Sequence, residues 1–129
     1  MTSNHVFNLA KRRKTVRKFS PAQLNLKDVL IALEAACQAP SGANSQPWRF
    51  LIITESCVRR RIREICEAGE REFYSKVSGE LRKWLHDRGF SWKKPFLEDA
   101  PLLVLVLSEM EKPYSKESVW LAIGYILLA

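Results

Sequence analysis

The chain has 129 residues, of which 47% are hydrophobic and 27% are charged. This balance predicts one folded domain over residues 1–129 and excludes both a disordered chain and a fibrous repeat. The formal net charge of +7 favours anionic partners, and the sequence shows neither a signal peptide nor an apolar stretch long enough to span a membrane, so we expect a cytoplasmic protein.

The first half of the chain has the pattern of a helix, a turn and a strand. Residues 25–38 place apolar side chains at helical spacing, and Asn25 is suited to cap the amino end. Pro40 ends this helix, because proline cannot continue the helical hydrogen bonds. The apolar run within residues 49–54 then predicts a buried strand.

The second half predicts three more helices and another strand. Residues 56–68 form an amphipathic pattern that Gly69 ends or kinks. Residues 70–86 form a second helical pattern, weakened near Ser78 and Gly79. Six consecutive aliphatic residues at 102–107 predict a central strand that is covered on both faces. Residues 116–129 are apolar nearly all round, so we expect this helix to be enclosed by protein.

The chain ends inside this apolar helix, without a glycine or a basic last turn to satisfy its final carbonyl groups. We therefore expect the sequence to be truncated within a longer protein. We also expect a second subunit to cover the exposed part of the helix.

Two segments carry chemical information. Residues 12–17 read Arg-Arg-Lys-Thr-Val-Arg, and residues 39–48 read Ala-Pro-Ser-Gly-Ala-Asn-Ser-Gln-Pro-Trp. The basic cluster offers charge to a phosphate or an electron-rich ring, while the glycine-containing turn lets backbone N–H groups approach a flat ligand closely. Together they predict a flavin site.

Other charged or reactive residues have simpler interpretations. Without the downstream turn, the basic cluster would be a solvated face or a nucleic-acid contact, and residues 59–63 form an arginine-rich helix face that we expect to be solvated. No arrangement typical of a DNA-reading fold is apparent, so we expect no nucleic-acid partner. Cys37, Cys57 and Cys66 lack the spacing of a zinc site, and no metal is predicted.

The two segments resemble the signature of the nitroreductase superfamily, R-R-S-x-R-x-F followed by A-P-S-x-x-N-x-Q-P-W. Residues 13–19 and 39–48 match these motifs, and the resemblance covers nearly the whole chain. It implies an α+β, nitroreductase-like fold with a central, mostly antiparallel sheet flanked by helices, of which the C-terminal part is absent here. It also implies a homodimer with shared active sites.

The resemblance implies FMN as the cofactor, and because the flavin carries the chemistry, no side chain needs to be catalytic. An always-charged guanidinium at the pyrimidine edge of the ring would stabilise the reduced flavin. The implied flavin contacts are Arg13, Lys14, Thr15, Arg17, Pro40, Ser41, Gly42 and Asn44.

Within this family, residues 92–97 and the pair Glu70 and Tyr74 look most like the iodotyrosine deiodinase branch. In that branch a glutamate and a tyrosine at this spacing, with a lysine further on, hold the ammonium and carboxylate of the substrate. The resemblance thus assigns Glu70, Tyr74 and Ala43 to substrate binding, with Lys76 and Lys83 as candidates for the lysine.

The leading hypothesis is an FMN-dependent oxidoreductase that uses NADH or NADPH to reduce nitroaromatic, quinone or halogenated aromatic acceptors. Two alternatives stay open: a reductive dehalogenase of the iodotyrosine deiodinase type, and a truncated, non-catalytic family member. A basic nucleic-acid-binding module is the least favoured interpretation.

Overall fold

A computed structural model of the chain describes residues 4–20, 22 and 24–129. The described elements in chain order are α1 (His5–Arg12), α2 (Leu26–Ala36), a single 3-10 turn (Gly42–Asn44), β1 (Trp48–Ile53), α3 (Ser56–Lys76), α4 (Gly79–Asp87), α5 (Phe96–Asp99), β2 (Leu103–Ser108) and α6 (Ser115–Leu128). They form two compact units. The first holds the described residues within 1–16, 21–52 and 104–129, and the second holds those within 17–20 and 53–103. That the chain is one domain stays a prediction.

The core of the first unit lies where α2 packs against α6. Ala36 and Ala122 are completely buried there, and their small side chains let the two helices approach closely. Trp48 and Val119 complete this cluster, with Phe50 and other partly buried residues packed around it. Burial of these apolar groups is the main stabilising contribution to this unit.

The two strands pair in an antiparallel sheet, the arrangement expected for this fold. The amide of Glu109, just after β2, donates a hydrogen bond of 2.8 Å to the carbonyl of Pro47, just before β1. The end of one strand therefore lies beside the start of the other. Among the described residues, the sheet has two strands.

The predicted cap of α2 is confirmed. The Asn25 side-chain oxygen accepts a hydrogen bond of 3.0 Å from the amide of Lys27, and Asp28 lies in the first turn. These two groups satisfy an otherwise unpaired amide and complement the positive end of the helix dipole.

The described residues do not fully cover β2 and α6, so the enclosure of both elements by protein stays a prediction. Leu107 on β2 is 52% exposed and Trp120 on α6 is 71% exposed. The described residues supply no element that packs on these faces. Their apolar sequence still indicates that they are suited to contact with protein.

The helices of the second unit differ from the prediction at one glycine. Gly69 neither ends nor kinks α3, which continues to Lys76, and the break falls at Val77 and Ser78 instead. A glycine inside a helix costs only about 1 kcal/mol. Ion pairs four residues apart on either side, such as Arg63 with Glu67, support the helix through this point. Helices α1 and α5 were not predicted.

The arginines of α3 do more than form a solvated face, because two of them hold α5. Glu98 accepts hydrogen bonds from Arg60 Nε at 2.9 Å and from Arg63 Nε at 2.8 Å. The hydrogen bond from Arg60, followed in size of effect by the one from Arg63, lowers the pKa of Glu98 below its usual value near 4.5. The same contacts raise the pKa of both arginines. The ionised carboxylate is therefore favoured in the folded state.

We predict that Glu98→Gln lowers stability near neutral pH and that the loss fades in acid. A carboxyl group with a lowered folded-state pKa stabilises the protein above its usual titration range, and this contribution disappears as the pH falls through the folded-state value. Urea unfolding midpoints of both proteins across this acid range measure the effect. An equal gap between the two proteins at every pH would contradict it.

Candidate functional site

The turn between α2 and β1 has an unusual backbone. Ala43, Asn44 and Gln46 have φ angles of 50°, 52° and 44°, all in the left-handed region. For residues other than glycine this conformation costs about 1 kcal/mol or more each. Such strain persists only where surrounding contacts fix the chain, and it is concentrated at functional sites.

Two serines fix the turn. Ser118 is 2% exposed, and its hydroxyl accepts a hydrogen bond of 3.2 Å from the amide of Gly42 while donating one of 2.6 Å to the carbonyl of Tyr114. The hydroxyl of Ser41 accepts a hydrogen bond of 3.0 Å from the amide of Gln46. The turn is thereby attached both to itself and to the start of α6.

Gly42 has no room for a side chain. A Cβ atom at this position would lie 2.6 Å from the carbonyl oxygen of Pro113 and 2.8 Å from a ring carbon of Tyr114. Both distances are well inside van der Waals contact, so any other residue would displace the turn. The glycine is needed here for close packing against the segment before α6.

The predicted phosphate-binding residues follow α1 in the first unit. Arg13, Lys14 and Thr15 are exposed, and the amide of Arg13 ends α1 by donating to the carbonyl of Leu9 at 3.0 Å. Neither Arg13 nor Lys14 forms an ion pair with any described side chain. Both cations are available to an anion.

Arg17 belongs to the second unit, unlike the other predicted flavin contacts. Its guanidinium carbon lies 5.7 Å from the centre of the Phe96 ring, within the range of a cation–π interaction. The stacking holds the charged group against an aromatic side chain at the start of α5.

The predicted substrate residues Glu70 and Tyr74 lie one turn apart on α3, and Glu70 pairs with a lysine that was not among the predicted candidates. Lys94 Nζ lies 3.0 Å from Glu70 Oε2. Lys76 instead pairs with Glu72 at 2.5 Å. Lys94 lies within residues 92–97, the segment that resembles the deiodinase branch. Its pairing with Glu70 could not be read from that segment, because it depends on how the preceding loop returns to α3.

A basic cleft of about 560 Å³ lies beside Lys94, and all of its lining residues belong to the second unit. It combines five cationic side chains with two aromatic rings. The lining residues are Arg17, Lys18, Arg88, Gly89, Phe90, Ser91, Lys93, Lys94, Pro95 and Phe96. This volume and composition suit a small aromatic ligand that carries an anionic group.

Within the described ranges, no three histidine, cysteine, aspartate or glutamate side chains come together as a metal site would require. The three cysteines are free and exposed. None of the described helices has the length and apolar character to cross a membrane.

Comparison with known proteins supports the resemblance. The profile of the Nitroreductase family matches residues 10–129. An iodotyrosine deiodinase from Thermotoga neapolitana is 52% identical over 124 residues, which are 96% of this chain and 67% of the relative. The chain thus spans about two thirds of that relative's length.

Solved structures give the same result. A crystal structure of oxidized iodotyrosine deiodinase bound to FMN and 3-iodo-L-tyrosine matches with a TM-score of 0.91 and 51% identity, over 95% of this chain and 67% of that one. A nitroreductase with bound FMN from Bacteroides fragilis matches with a TM-score of 0.71 and 26% identity, over 98% and 64%. On the sequence match and the shared fold, this chain belongs to the nitroreductase family, and iodotyrosine deiodinases are among its relatives.

Proposed function

We propose that this chain forms part of an FMN-dependent reductive dehalogenase that acts on a halogenated tyrosine. The observation that supports this most is the ion pair between Glu70 and Lys94, with Tyr74 one turn further along the same helix. It offers both signs of charge at one place. An amino acid carries an ammonium and a carboxylate on one carbon, and this pair is complementary to it.

Binding would exchange the internal ion pair for two contacts with the substrate. The Glu70 carboxylate would accept hydrogen bonds from the ammonium, and Lys94 with the Tyr74 hydroxyl would donate to the carboxylate. Charge-assisted hydrogen bonds of this kind are roughly twice as strong as neutral ones. Glu70 and Lys94 are 37% and 23% exposed, so a ligand can reach both.

The predicted flavin contacts are suited to FMN. Arg13 and Lys14, which pair with no described carboxylate, and the hydroxyl of Thr15 are suited to the phosphate. The constrained turn at Pro40, Ser41 and Gly42 is suited to contact with a flat ring. Asn44 would donate to the edge of the flavin, Ala43 would approach the substrate, and Arg17 would stabilise negative charge on the pyrimidine ring. Once reduced by two electrons, bound FMN would supply those electrons, which with one proton would replace the carbon–halogen bond by a carbon–hydrogen bond and release halide.

We further propose a homodimer with shared active sites. The exposed apolar side chains of α6, among them Trp120 and Leu121, support an interface there. NADH or NADPH is the proposed reductant. Reduction of nitroaromatic or quinone acceptors is the second candidate function, favoured by the likeness to the nitroreductase with bound FMN.

We predict that Gly42→Ala weakens FMN binding roughly tenfold, because overpacking of this kind costs about 1–3 kcal/mol and displaces the turn. Titration of the purified protein with FMN, followed by flavin fluorescence, measures the change. Gly69→Ala is the matched control, since a Cβ at Gly69 meets nothing within 4 Å. It should leave FMN affinity unchanged and stabilise α3 by about 0.5–1 kcal/mol.

Equal FMN affinity in the wild type and Gly42→Ala would refute the assignment of the turn to the flavin. A folded wild-type protein that takes up no FMN at all would instead support the non-catalytic alternative.

We predict that Glu70→Gln weakens binding of 3-iodo-L-tyrosine by roughly tenfold or more, because a hydrogen bond to a charged group is worth about 1.5–3 kcal/mol. Reduction of a nitroaromatic compound, which has no ammonium, should be unaffected. Steady-state kinetics with both acceptors and reduced flavin measure this difference.

Glu72→Gln is the matched control on the same helix, since Glu72 pairs with Lys76 rather than with Lys94. It should change neither reaction. A similar loss with both acceptors in Glu70→Gln would count against the recognition of a zwitterion.

A further inference from the structure

Glu67 is a charged residue on α3 that lies outside the proposed substrate and flavin contacts. It is 7% exposed, the most buried carboxylate among the described residues. Its Oε1 accepts a hydrogen bond of 2.7 Å from the backbone amide of Lys94, and its Oε2 accepts one of 2.9 Å from Arg63. Burial of a carboxylate is costly unless it is paired and hydrogen-bonded, and here both oxygens have partners.

Arg63 links this carboxylate to α5. One of its terminal nitrogens donates to Glu67, and its Nε donates to Glu98 at 2.8 Å. Arg63 is 25% exposed, so both contacts are partly shielded from water. The backbone around Lys94 is thus held at two points. Glu67 binds the amide of Lys94, and Arg63 binds the side chain of Glu98, four residues further along the chain.

The side chain of Lys94 is held by polar contacts as well as its backbone. Its ammonium contacts Glu70 Oε2 at 3.0 Å and donates to the carbonyl of Ser91 at 2.9 Å. Glu67 and Glu70 are three residues apart on α3 and so lie on one face of the helix. One glutamate therefore fixes the backbone of Lys94, and the other meets its charge.

We propose that Glu67 is a positioning residue: its buried carboxylate fixes the backbone of Lys94 so that the ammonium stands where the substrate carboxylate binds. This inference rests on the proposed function, because it assigns a supporting role within the same site. In this role Glu67 would touch neither substrate nor flavin, since both of its oxygens are used by Arg63 and the amide of Lys94. Its loss should weaken substrate binding and leave the chemical step unchanged.

The test is Glu67→Gln in the full chain loaded with FMN. Glutamine presents an N–H group to Arg63 and cannot satisfy both partners as the carboxylate does. We expect the KM for 3-iodo-L-tyrosine to rise roughly tenfold while kcat and FMN affinity stay near the wild-type values. Glu64→Gln is the matched control, since Glu64 lies on α3 and pairs only with Arg61 among the described side chains.

Two comparisons separate positioning from a general loss of structure. In a Lys94→Met background, Glu67→Gln should raise KM no further, because its effect passes through Lys94. In the absence of any substrate, Glu67→Gln should also raise the rate at which an amine-directed reagent labels Lys94 several-fold, with labelling of Lys76 unchanged. If Glu67→Gln does not fold, Glu67→Asp retains the charge and shortens the reach, and the same changes are expected.

Unchanged labelling of Lys94 in a folded Glu67 variant would overturn the inference whatever the substrate is. A fall in kcat or FMN affinity equal to the rise in KM would also overturn it. Increased labelling in a protein that binds no halotyrosine would support the positioning of Lys94 by Glu67 and refute the proposed function instead.

Discussion

The pairing of arginines and carboxylates between α3 and α5 is the constraint on which the candidate substrate site depends. The loop between α4 and α5 has little regular structure of its own, yet it carries Lys94. Glu67, Arg63 and Glu98 attach this loop and α5 to α3 through hydrogen bonds of 2.7–2.9 Å. Because both oxygens of Glu67 and two nitrogens of Arg63 are used in these contacts, the contacts specify where the loop runs. A lysine on a free loop would find its partner far less often.

In the first unit, the turn between α2 and β1 is held in place without ion pairs among the described residues. The turn contains three non-glycine residues in a strained backbone conformation, and it is held by the buried hydroxyl of Ser118 and by close packing at Gly42. A hydroxyl that both accepts and donates satisfies two backbone groups at once. Neutral hydrogen bonds and shape would be enough for contact with the proposed flat ring, whereas the zwitterion of the proposed substrate would require charge.

Local features of the fold could be predicted from the sequence, and features set by distant partners could not. Asn25 and the spacing of apolar residues identify α2 because capping and helical periodicity are encoded within a few residues. Gly69 suggested a helix end, but α3 continues past it, supported by ion pairs between its side chains. The arginines of α3 looked like a solvated face because Glu98 lies more than thirty residues away in the chain.

The candidate site shows the same division. The turn and the basic cluster were found from their motifs, and their roles toward the flavin stay predictions. Lys94 was missed because the residues next to it in the sequence do not distinguish it from Lys93. Only the folded path of the loop back to α3 brings Lys94 to Glu70. The coverage of α6 and β2 also stays a prediction, since an apolar sequence indicates that a face favours contact but does not identify the partner.

The most direct test of the central claim compares two ligands that share a ring and differ in charge. The FMN-loaded protein is titrated with 3-iodo-L-tyrosine and with 2-iodophenol, which lacks the ammonium and the carboxylate, while flavin fluorescence is recorded. If Glu70, Tyr74 and Lys94 recognise the zwitterion, iodotyrosine binds at least tenfold more tightly than iodophenol, about 1.4 kcal/mol or more. Equal affinity for the two ligands would contradict the claim.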